Sequence, residues 1–567
     1  MKSNSNFIKK LYLMALFPNI IAVLGGTVNV FFDGILVGQK LGGLGLESVN
    51  QALPVYLILC TIGSLFASGA SFLSSIAFGK NDPGEGQRIL KATMTAAALA
   101  GLLFCALGFV FARPLTRLLA TEASFHYVLT YLRITLIGGV FKVMLYVPYF
   151  YLRLEGKNRR SAAAMLTMTL LNIVLDYVFL FILDWGIAGA AWASVIATVA
   201  AFIMCMAFLF TDHSNFKFGL TFFRKGDWAD IIKFGSPMAL NNILSSARIL
   251  VVNLILKGMG ISGLTAIFAV VNNLNEFSIC VQNGVPQTAT AMTGIFHGER
   301  DSNSVKRLLN IQLVTGTILS GVMALVMILF SENLGRLFGS EADCSFAILC
   351  FGISLPFGTA NSVMSYFYNA TGRISIANII TTCRGFATVA LFCLSFSPLG
   401  SGVWLFYPVA EISAALVFLA VGAVIRSKQD LSAFYLLDES FEKSGQSISF
   451  SVDCSPEKIC EASEKINEFC DLNEFTPKKA MAISLSIEEI LTIIAQKSLM
   501  GVGLMDVRVL KSGDEGIIRI RSGGRRYNPI EAADDSLDYM GVKMIAKLAT
   551  KVEYLSSLGV NTLMIFV

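Results

Sequence analysis

The sequence contains little charge. Only 15% of its 567 residues are Asp, Glu, Lys or Arg, whereas a soluble domain usually carries about a quarter. Hydrophobic residues make up 54% of the chain, and the mean hydropathy is +0.66. This scarcity of charge excludes an ordinary soluble protein and indicates a polytopic membrane protein. The formal net charge of +5 is small for this length and does not point to nucleic acid.

Paired cysteines are also lacking. The 11 cysteines occur singly between Cys60 and Cys470, and none forms a CxxC pair. This pattern argues against a zinc site and against a disulfide framework. We do not expect a cleaved signal peptide, because the polar stretch 1–10 leads into an apolar segment that is too long for one.

Apolar runs of membrane-spanning length are abundant instead. Twelve of them are centred on 11–37, 52–77, 92–112, 130–152, 162–183, 187–210, 234–256, 264–294, 309–330, 346–368, 376–397 and 403–425. If the N-terminus is cytoplasmic, the inside segments hold 20 Lys and Arg and the outside loops hold five. The positive-inside rule therefore predicts a multi-pass membrane protein with both termini in the cytoplasm. The membrane that we expect is a bacterial-type plasma (inner) membrane.

Three short motifs occur twice, in the same order. The pairs are Pro18 and Pro237, 76–82 and 295–301, and 151–156 and 366–372. The first two pairs are 219 residues apart, and the glycines of the third are 216 apart. This register predicts two parallel six-helix lobes, 1–212 and 213–428, which would enclose a cavity near the membrane midplane.

The composition changes abruptly after residue 428. A predicted linker, 429–446, leads to a charged segment, 447–567, in which strand and helix patterns alternate. Strands are predicted at 447–452, 507–510, 516–521, 552–555 and 563–567, and helices at 480–495 and 541–549. The expected fold class is therefore an all-α bundle of twelve transmembrane helices followed by a cytoplasmic α+β domain, which we call the tail.

Two acidic residues lie inside apolar runs. Asp176 follows Asn172 by one helical turn, so the two side chains stack on one face. Asp33 lies in the equally apolar run 30–37. An aspartate near the centre of a bilayer costs about 2.5–3.5 kcal/mol on insertion scales, so such residues usually serve ions, protons or substrate. We therefore hypothesise that the two acids form one cation-responsive site.

A family resemblance covers residues 1–428. The segments that carry it are Pro18 with 30–38, 69–80, 153–157, and Asn172 to Asp176 followed by 186–194. In order and spacing they resemble the multidrug and toxic compound extrusion (MATE) transporters, in the DNA-damage-inducible (DinF-like) prokaryotic branch. The resemblance implies secondary-active efflux of small organic molecules or drugs by alternating access, driven by a proton or sodium gradient, and no enzymatic activity.

The resemblance also implies a coupling site made of Asp33, Asn172, Asp176 and Ser194. Carboxylate, amide and hydroxyl oxygens suit a hard monovalent cation, so Asp33, Asn172 and Asp176 are candidate sodium ligands. The two carboxylates could alternatively share a proton. Lys142 lies in the same lobe, and pairing with either acid would favour a proton or an anionic substrate over sodium. The other interpretation of Lys142 is snorkelling to the membrane interface.

The second lobe carries four charged residues within apolar runs. These are Arg248, Glu276, Arg384 and Glu411, which together with Lys142 are candidates for the substrate cavity. They could instead form intramembrane ion pairs that lower the insertion cost. Cations facing the cavity would disfavour a purely cationic drug and make an anionic or zwitterionic substrate more credible.

The tail resembles the histidine-kinase-like ATPase domain of the anti-sigma-factor serine kinases. The segments that carry this second resemblance are 486–494, 520–531 and 539–545. The family's magnesium-binding Asn falls on Ile493 and its adenine-binding Asp on Ser522, which argues against ATP binding and phosphoryl transfer. The positions where nucleotide would bind are Glu489, Gly524 and Gly541. We expect a degenerate regulatory or docking module.

Two alternatives to drug efflux stay open. One is a membrane sensor whose tail regulates a cytoplasmic protein partner, and the other is an exporter of a lipid-linked or polysaccharide precursor. The expected partners are a small-molecule substrate and membrane lipids, with a proton or sodium as coupling ion and no cofactor that the sequence requires.

Overall fold

The computed structural model describes most of the chain. The described residues are 5–80, 82–120, 122, 124–210, 219, 221–224, 226–261, 263–337, 343–428, 434–438, 446–501, 503–512, 515–533, 539–557 and 560–567. Within them, a helical bundle precedes a small mixed domain, as the composition predicts.

The bundle consists of long apolar helices. They are α1 (Ser5–Gly79), α2 (Pro83–Val110), α3 (Ala112–Leu119), α4 (Phe125–Leu154), α5 (Asn158–Tyr177), α6 (Gly186–Leu209), α7 (Asp227–Gly258), α8 (Leu264–Gly298), α9 (Ser302–Leu329), α10 (Ser331–Leu337), α11 (Ser345–Ala370), α12 (Ile374–Thr382), α13 (Thr388–Phe396) and α14 (Phe406–Lys428). We call α1–α6 the N-terminal half of the bundle and α7–α14 the C-terminal half.

Glycine kinks divide the longest helical stretches. At Gly42, α1 has φ 65° and ψ −163°, a conformation that only glycine adopts readily, so α1 forms two spans. Ten described stretches are long and apolar enough to cross a membrane. One of them, Ile374–Ser427, has 54 residues and bends at Gly400, which is length enough for two passes. The expected number of twelve therefore stays a prediction.

The tail contains a five-stranded antiparallel sheet. Its strands are β1 (Ser447–Asp453), β2 (Leu504–Ser512), β3 (Glu515–Ser522), β4 (Lys551–Ser557) and β5 (Val560–Phe566), in the order β1-β2-β3-β5-β4. Its helices are α15 (Pro456–Leu472), α16 (Pro477–Ile493) and α17 (Met540–Leu548). The strands predicted from period-two alternation and the last two helices are confirmed, whereas α15 was not predicted. One apolar core joins the sheet to all three helices.

Three buried arginines attach the tail to the bundle. Arg508 on β2 and Arg519 and Arg521 on β3 lie on one face of the sheet, and each is 3% exposed or less. We call them the arginine cluster. It contacts the short turn between α8 and α9: Arg508 Nη1 lies 2.9 Å from Asp301 Oδ1, and Arg519 Nη1 lies 2.6 Å from Glu299 Oε2. Arg521 also pairs with Glu299. The tail is thus fixed to one end of the bundle, which we call the tail-side end.

The charges of this contact are balanced. Asp506 on β2 provides a third carboxylate, 2.8 Å from Arg519 Nη2. Burial alone would raise the pKa of Asp301, but the charges of Arg508, Arg519 and Arg521 hold it well below its ordinary value. Burial raises the pKa of Asp506. Three cations therefore face three carboxylates, and this pairing compensates the cost of removing them from water.

The two halves of the bundle touch through glycines toward the tail-side end. A Cβ atom on Gly235 of α7 would lie 2.1 Å from the carbonyl oxygen of Leu65, and one on Gly79 would lie 2.3 Å from that of Ile295. Only glycine permits backbones to approach so closely. The halves are therefore in direct backbone contact at this end.

Two of the repeated motifs share their local geometry. Asp82 caps α2 and Asp301 caps α9, each accepting a hydrogen bond of 3.0 Å from the backbone N–H three residues later. Gly156 after α4 and Gly372 after α11 have φ angles of 77° and 78°. The repeats therefore specify the same turns in both halves.

Part of the predicted linker packs against the bundle. Residues 429–433 and 439–445 of the predicted linker 429–446 lie outside the described residues. Between them, Leu436 and Leu437 are buried, and the backbone oxygen of Phe434 accepts a hydrogen bond of 2.8 Å from Tyr368. This segment is a docked element rather than a free spacer.

Replacing Glu299 tests how firmly the tail is attached. We expect Glu299→Gln to lower the free energy of tail opening by about 3 kcal/mol, because it leaves Arg519 and Arg521 partly uncompensated in a buried site. Hydrogen exchange of the β2 and β3 amides measures this free energy. Glu461→Gln on α15, which interrupts an exposed pair with Lys458, is the control and should change amide protection little, because water screens exposed ion pairs. Equal amide protection in the two variants would contradict the prediction.

Candidate functional site

The four predicted coupling residues meet in the N-terminal half of the bundle. The carboxyl groups of Asp33 on α1 and Asp176 on α5 lie within hydrogen-bonding reach of each other. Asn172 Nδ2 donates to Ser194 Oγ on α6 at 3.3 Å. Asp176 is 0% exposed and Asn172 is 1% exposed. Three helices thus bring together residues that are far apart in the sequence.

Packing between α1 and α5 positions the two acids. Thr169 Oγ1 donates a hydrogen bond of 2.9 Å to the backbone oxygen of Gly25. A Cβ atom on Gly25 would lie 3.3 Å from that same Oγ1, so the glycine helps α1 to approach α5. Directly after Asp176 and Tyr177, the helix changes to a π-helical turn, Val178–Ile182. Such turns often occur at functional sites.

Several oxygens of this site have no protein donor. Apart from the carboxyl contact, the described structure gives no hydrogen-bond partner to Asp33 Oδ1, Asn172 Oδ1 or either carboxyl oxygen of Asp176. Buried polar atoms are normally satisfied, so these exceptions need an explanation. Two ionised carboxylates at this distance would repel each other in a low-dielectric site, and a shared proton or a monovalent cation removes that repulsion.

The oxygens of this site suit a proton or a hard cation. Two carboxylates, one amide and one hydroxyl are hard donors, which do not favour soft metals. The described residues contain no cluster of three or more His, Cys, Asp or Glu side chains that could hold a metal ion. The arrangement can therefore hold a proton or a small hard cation.

Lys142 does not pair with either acid. Its Nζ lies 4.8 Å from the centre of the Tyr56 ring, and the described residues show no ion pair from Lys142 to Asp33 or Asp176. The pairing considered from the sequence is therefore not observed. The Tyr56 side chain is close enough to Asp33 to interact with its charge. The Tyr131 side chain is close enough to interact with the charges of both acids. The sequence did not indicate these two tyrosines, because a tyrosine within an apolar run usually belongs to the hydrophobic core.

In the C-terminal half, Arg384 and Glu411 form an ion pair. Arg384 Nε lies 3.0 Å from Glu411 Oε1, and Asn361 Nδ2 donates to the other carboxyl oxygen at 2.8 Å. Arg384 also donates to Ser362 Oγ at 2.6 Å and to Gln282. Both interpretations from the sequence apply to these two residues, since they form an ion pair and also line cavities of the bundle.

The other predicted cavity residues are dispersed. Arg248 lines a small cavity of about 30 Å³ together with Glu411 and Arg384. Glu276 and Lys142 are not among the residues that line this cavity, nor among those that line a second cavity between the two halves. The backbone oxygen of Glu276 instead accepts a hydrogen bond of 3.1 Å from Thr27 Oγ1, which links the two halves.

A central cavity of about 50 Å³ lies between the two halves. The polar residues that line it include Ser68, Arg153, Asn241, Gln287, Asn369 and Arg384. Arg153 lies just beyond the predicted span 130–152, but α4 extends through Leu154 and Arg153 is only 6% exposed. Helical spacing could have predicted that Arg153 continues this helix, since it follows Tyr149 by one turn.

The MatE family model matches residues 18–178 and 237–393, more than half of the chain. The chain belongs to the MatE family. This multi-pass membrane transporter is 25% identical over 436 residues to the probable multidrug resistance protein YoeA of Bacillus subtilis, covering 73% of this chain and 92% of YoeA. It is 20% identical over 428 residues to the multidrug export protein MepA of Staphylococcus saprophyticus, covering 74% and 94%.

A solved structure shares the fold of the bundle. A MOP superfamily transporter from Pyrococcus furiosus, described as having a binding pocket of reverse polarity, superposes with a TM-score of 0.69 at 22% identity. The superposition covers 75% of this chain and 97% of that one. About a quarter of the present transporter is left uncovered by each of these comparisons.

The predicted nucleotide positions of the tail are not gathered in one pocket. The Glu489 carboxylate accepts hydrogen bonds from the backbone N–H groups of Gly541 at 2.7 Å and Val542 at 3.2 Å, so it caps α17. Gly524 packs against Ser498 instead, where a Cβ atom would lie 2.5 Å from the backbone oxygen. Glu489 thus has a structural role here.

Replacing Glu411 tests the ion pair. We expect Glu411→Gln to destabilise the transporter by about 3 kcal/mol, because Arg384 stays in the bundle without its carboxylate. Thermal unfolding in detergent measures the change. The double variant Arg384→Gln with Glu411→Gln should recover part of this loss, since no unpaired charge remains.

An exposed acid provides the control for this experiment. Glu332→Gln on α10 should change the unfolding temperature little, because that side chain is exposed to solvent. The prediction is wrong if Glu411→Gln unfolds at the same temperature as Glu332→Gln.

Proposed function

We propose that this transporter exports small organic molecules in exchange for protons that bind to the Asp33 and Asp176 pair. The observation that carries the proposal is the buried contact between these two carboxyl groups, with unpartnered oxygens around it. A proton on one carboxyl turns a repulsive contact into a hydrogen bond. Loss of that proton restores the repulsion and favours separation of α1 from α5.

A proton suits this contact because it can be shared without moving the two carboxyl groups. A sodium ion between the acids would require the carboxyl groups to separate until their oxygens lie at its ligand distance. The absence of an ion pair to Lys142 also leaves the negative charge of the pair uncompensated by protein. The pair can therefore respond to the proton gradient, which changes its charge by one.

Alternating access would follow from this change in charge. The halves meet through Gly235 and Gly79 toward the tail-side end, which the distribution of Lys and Arg assigns to the cytoplasm. This backbone contact would close the central cavity toward that side. One elementary charge moving through 100 mV supplies about 2.3 kcal/mol for the return to the other state.

The cargo is proposed from the relatives. YoeA and MepA are named as multidrug resistance and multidrug export proteins, and their alignments extend over most of the bundle. This supports export of small organic molecules rather than of a lipid-linked precursor. The site geometry supports a secondary transporter, because the coupling residues lie inside the bundle and not in the tail.

Transport by purified protein in proteoliposomes tests the coupling site. We expect Asp33→Asn and Asp176→Asn each to reduce efflux driven by a pH gradient at least tenfold, because neither amide can bind and release the proton. A fluorescent drug panel serves as cargo, and internal pH is recorded at the same time.

A matched control and a second gradient sharpen this test. Asp230→Asn, an exposed residue on α7, should transport like the wild type. If efflux follows an imposed sodium gradient and not a pH gradient, the coupling ion at this site is sodium and not the proton. Unchanged transport in both aspartate variants would remove the site from the mechanism.

The tail is proposed to act as a docking module without ATPase activity. Its support is the use of Glu489 as the cap of α17 and of the arginine cluster as an attachment to the α8–α9 turn. The first assignment gives a structural role to one of the predicted nucleotide positions, and the second shows how the tail is attached. The tail would then restrain the tail-side end of the bundle.

Nucleotide titration of the full chain tests this role. We expect no saturable fluorescence change with a methylanthraniloyl derivative of ATP and magnesium up to about 1 mM, because the magnesium and adenine ligands are replaced by Ile493 and Ser522. Saturable binding that unlabelled ATP displaces would contradict the prediction and would favour a signalling tail.

A further inference from the structure

We infer that the central cavity binds an organic anion through Arg153, so that the preferred cargo carries a carboxylate, sulfonate or phosphate group. This inference rests on the proposed export function and specifies its substrate class. Two arginines line the cavity, and no acidic side chain is among its lining residues. Because Arg384 is paired with Glu411, the charge that needs an explanation is that of Arg153.

Arg153 has no carboxylate partner within the described part of the chain. Its Nη1 donates to Gln287 Oε1 at 3.1 Å, and its guanidinium lies 5.4 Å from the ring centres of Tyr149 and Phe150. These neutral contacts orient the guanidinium without neutralising it. A cation that is 94% removed from solvent and lacks a counter-ion is costly unless a ligand supplies one.

Two further polar atoms on the cavity wall lack partners. Ser68 Oγ from the N-terminal half and Asn369 Oδ1 from the C-terminal half have no hydrogen-bond partner in the described structure. Asn369 is only 6% exposed. The two atoms, from opposite halves, can accept hydrogen bonds from a ligand. The cargo that fits therefore combines an anionic group with a hydroxyl or amino donor.

The contact made by Arg153 also connects ligand binding to closure of the halves. Gln287 on α8 accepts from Arg153 of the opposite half and donates to Tyr366 Oη at 3.2 Å. An anion that pairs with Arg153 would replace Gln287 and remove one bond between the halves. The cavity of about 50 Å³ holds only a few water molecules, so the ligand must enter when the halves are apart.

A permanently cationic cargo is disfavoured by the same charges. It would meet the uncompensated guanidinium of Arg153 in a medium of low dielectric constant, where repulsion is strong. Specificity between anion and cation would thus come from repulsion as well as from attraction.

Equilibrium binding of two matched dyes tests the inference. Carboxyfluorescein, an anion with phenolic hydroxyl groups, and tetramethylrhodamine ethyl ester, a cation, share the xanthene core. Fluorescence polarisation with the purified full chain in detergent should show saturable binding of the anion, at least tenfold tighter than binding of the cation. Arg153→Gln should weaken carboxyfluorescein binding at least tenfold, whereas Arg153→Lys should retain part of it.

Controls separate this result from a folding defect and from the coupling mechanism. Arg117→Gln, an exposed residue on α3, should bind carboxyfluorescein like the wild type, and thermal unfolding checks that each variant is folded. Binding is measured in detergent without any gradient, so the result does not depend on energy coupling. If the aspartate variants transport normally, the proposed coupling site is wrong, but the inference of anion binding at Arg153 is unaffected. If carboxyfluorescein does not bind, that inference is wrong, but the proposed coupling site is unaffected.

Three results would overturn it. They are the absence of saturable carboxyfluorescein binding to the folded transporter, equal or tighter binding of the cationic dye, and an unchanged affinity of Arg153→Gln for carboxyfluorescein.

Discussion

The contact between the carboxyl groups of Asp33 and Asp176 is the constraint on which the N-terminal half depends. Two negative charges at hydrogen-bonding distance cannot both persist where water is excluded, so the pair must bind one positive charge or move apart. The Thr169 hydrogen bond to Gly25 holds α1 and α5 close enough for the conflict to exist. In the proposed function, the same pair that raises the cost of the folded state in the membrane provides the sensitivity to an ion gradient.

Elsewhere in the molecule, buried charged side chains have different kinds of partner. Arg384 is neutralised within the bundle by Glu411, and the arginine cluster is neutralised across two domains by Glu299 and Asp301. Lys142 is placed against an aromatic ring. The charges of Arg384 and of the arginine cluster are compensated by carboxylates, so neither contact needs a ligand. Arg153 and the Asp33/Asp176 pair have no such compensation, and for this reason the cargo and the driving ion are proposed to bind there.

How far the sequence predicts the structure depends on the range of each interaction. Apolar length and period-two alternation are local signals, and they predicted the bundle and the strands of the tail. The cost of an acid in a membrane predicted that Asp33 and Asp176 serve one site, although 143 residues separate them. A local sequence pattern does not indicate which residue on another helix or strand a side chain will contact. The sequence therefore did not reveal that Lys142 faces Tyr56, that Glu299 receives the arginine cluster, or that Arg153 belongs to the cavity.

The two open sites also have electrical consequences when they act together. Exchange of one exported monocation for one imported proton moves no net charge, so the membrane potential contributes nothing to it. Exchange of one exported monoanion for one imported proton moves two charges in the favourable sense, which is worth about 4.6 kcal/mol at 100 mV. That energy corresponds to a concentration ratio of more than a thousandfold. An uncompensated arginine in the cavity and a protonatable carboxyl pair in one half would therefore couple anion export to the full electrical gradient, without requiring energy from the tail.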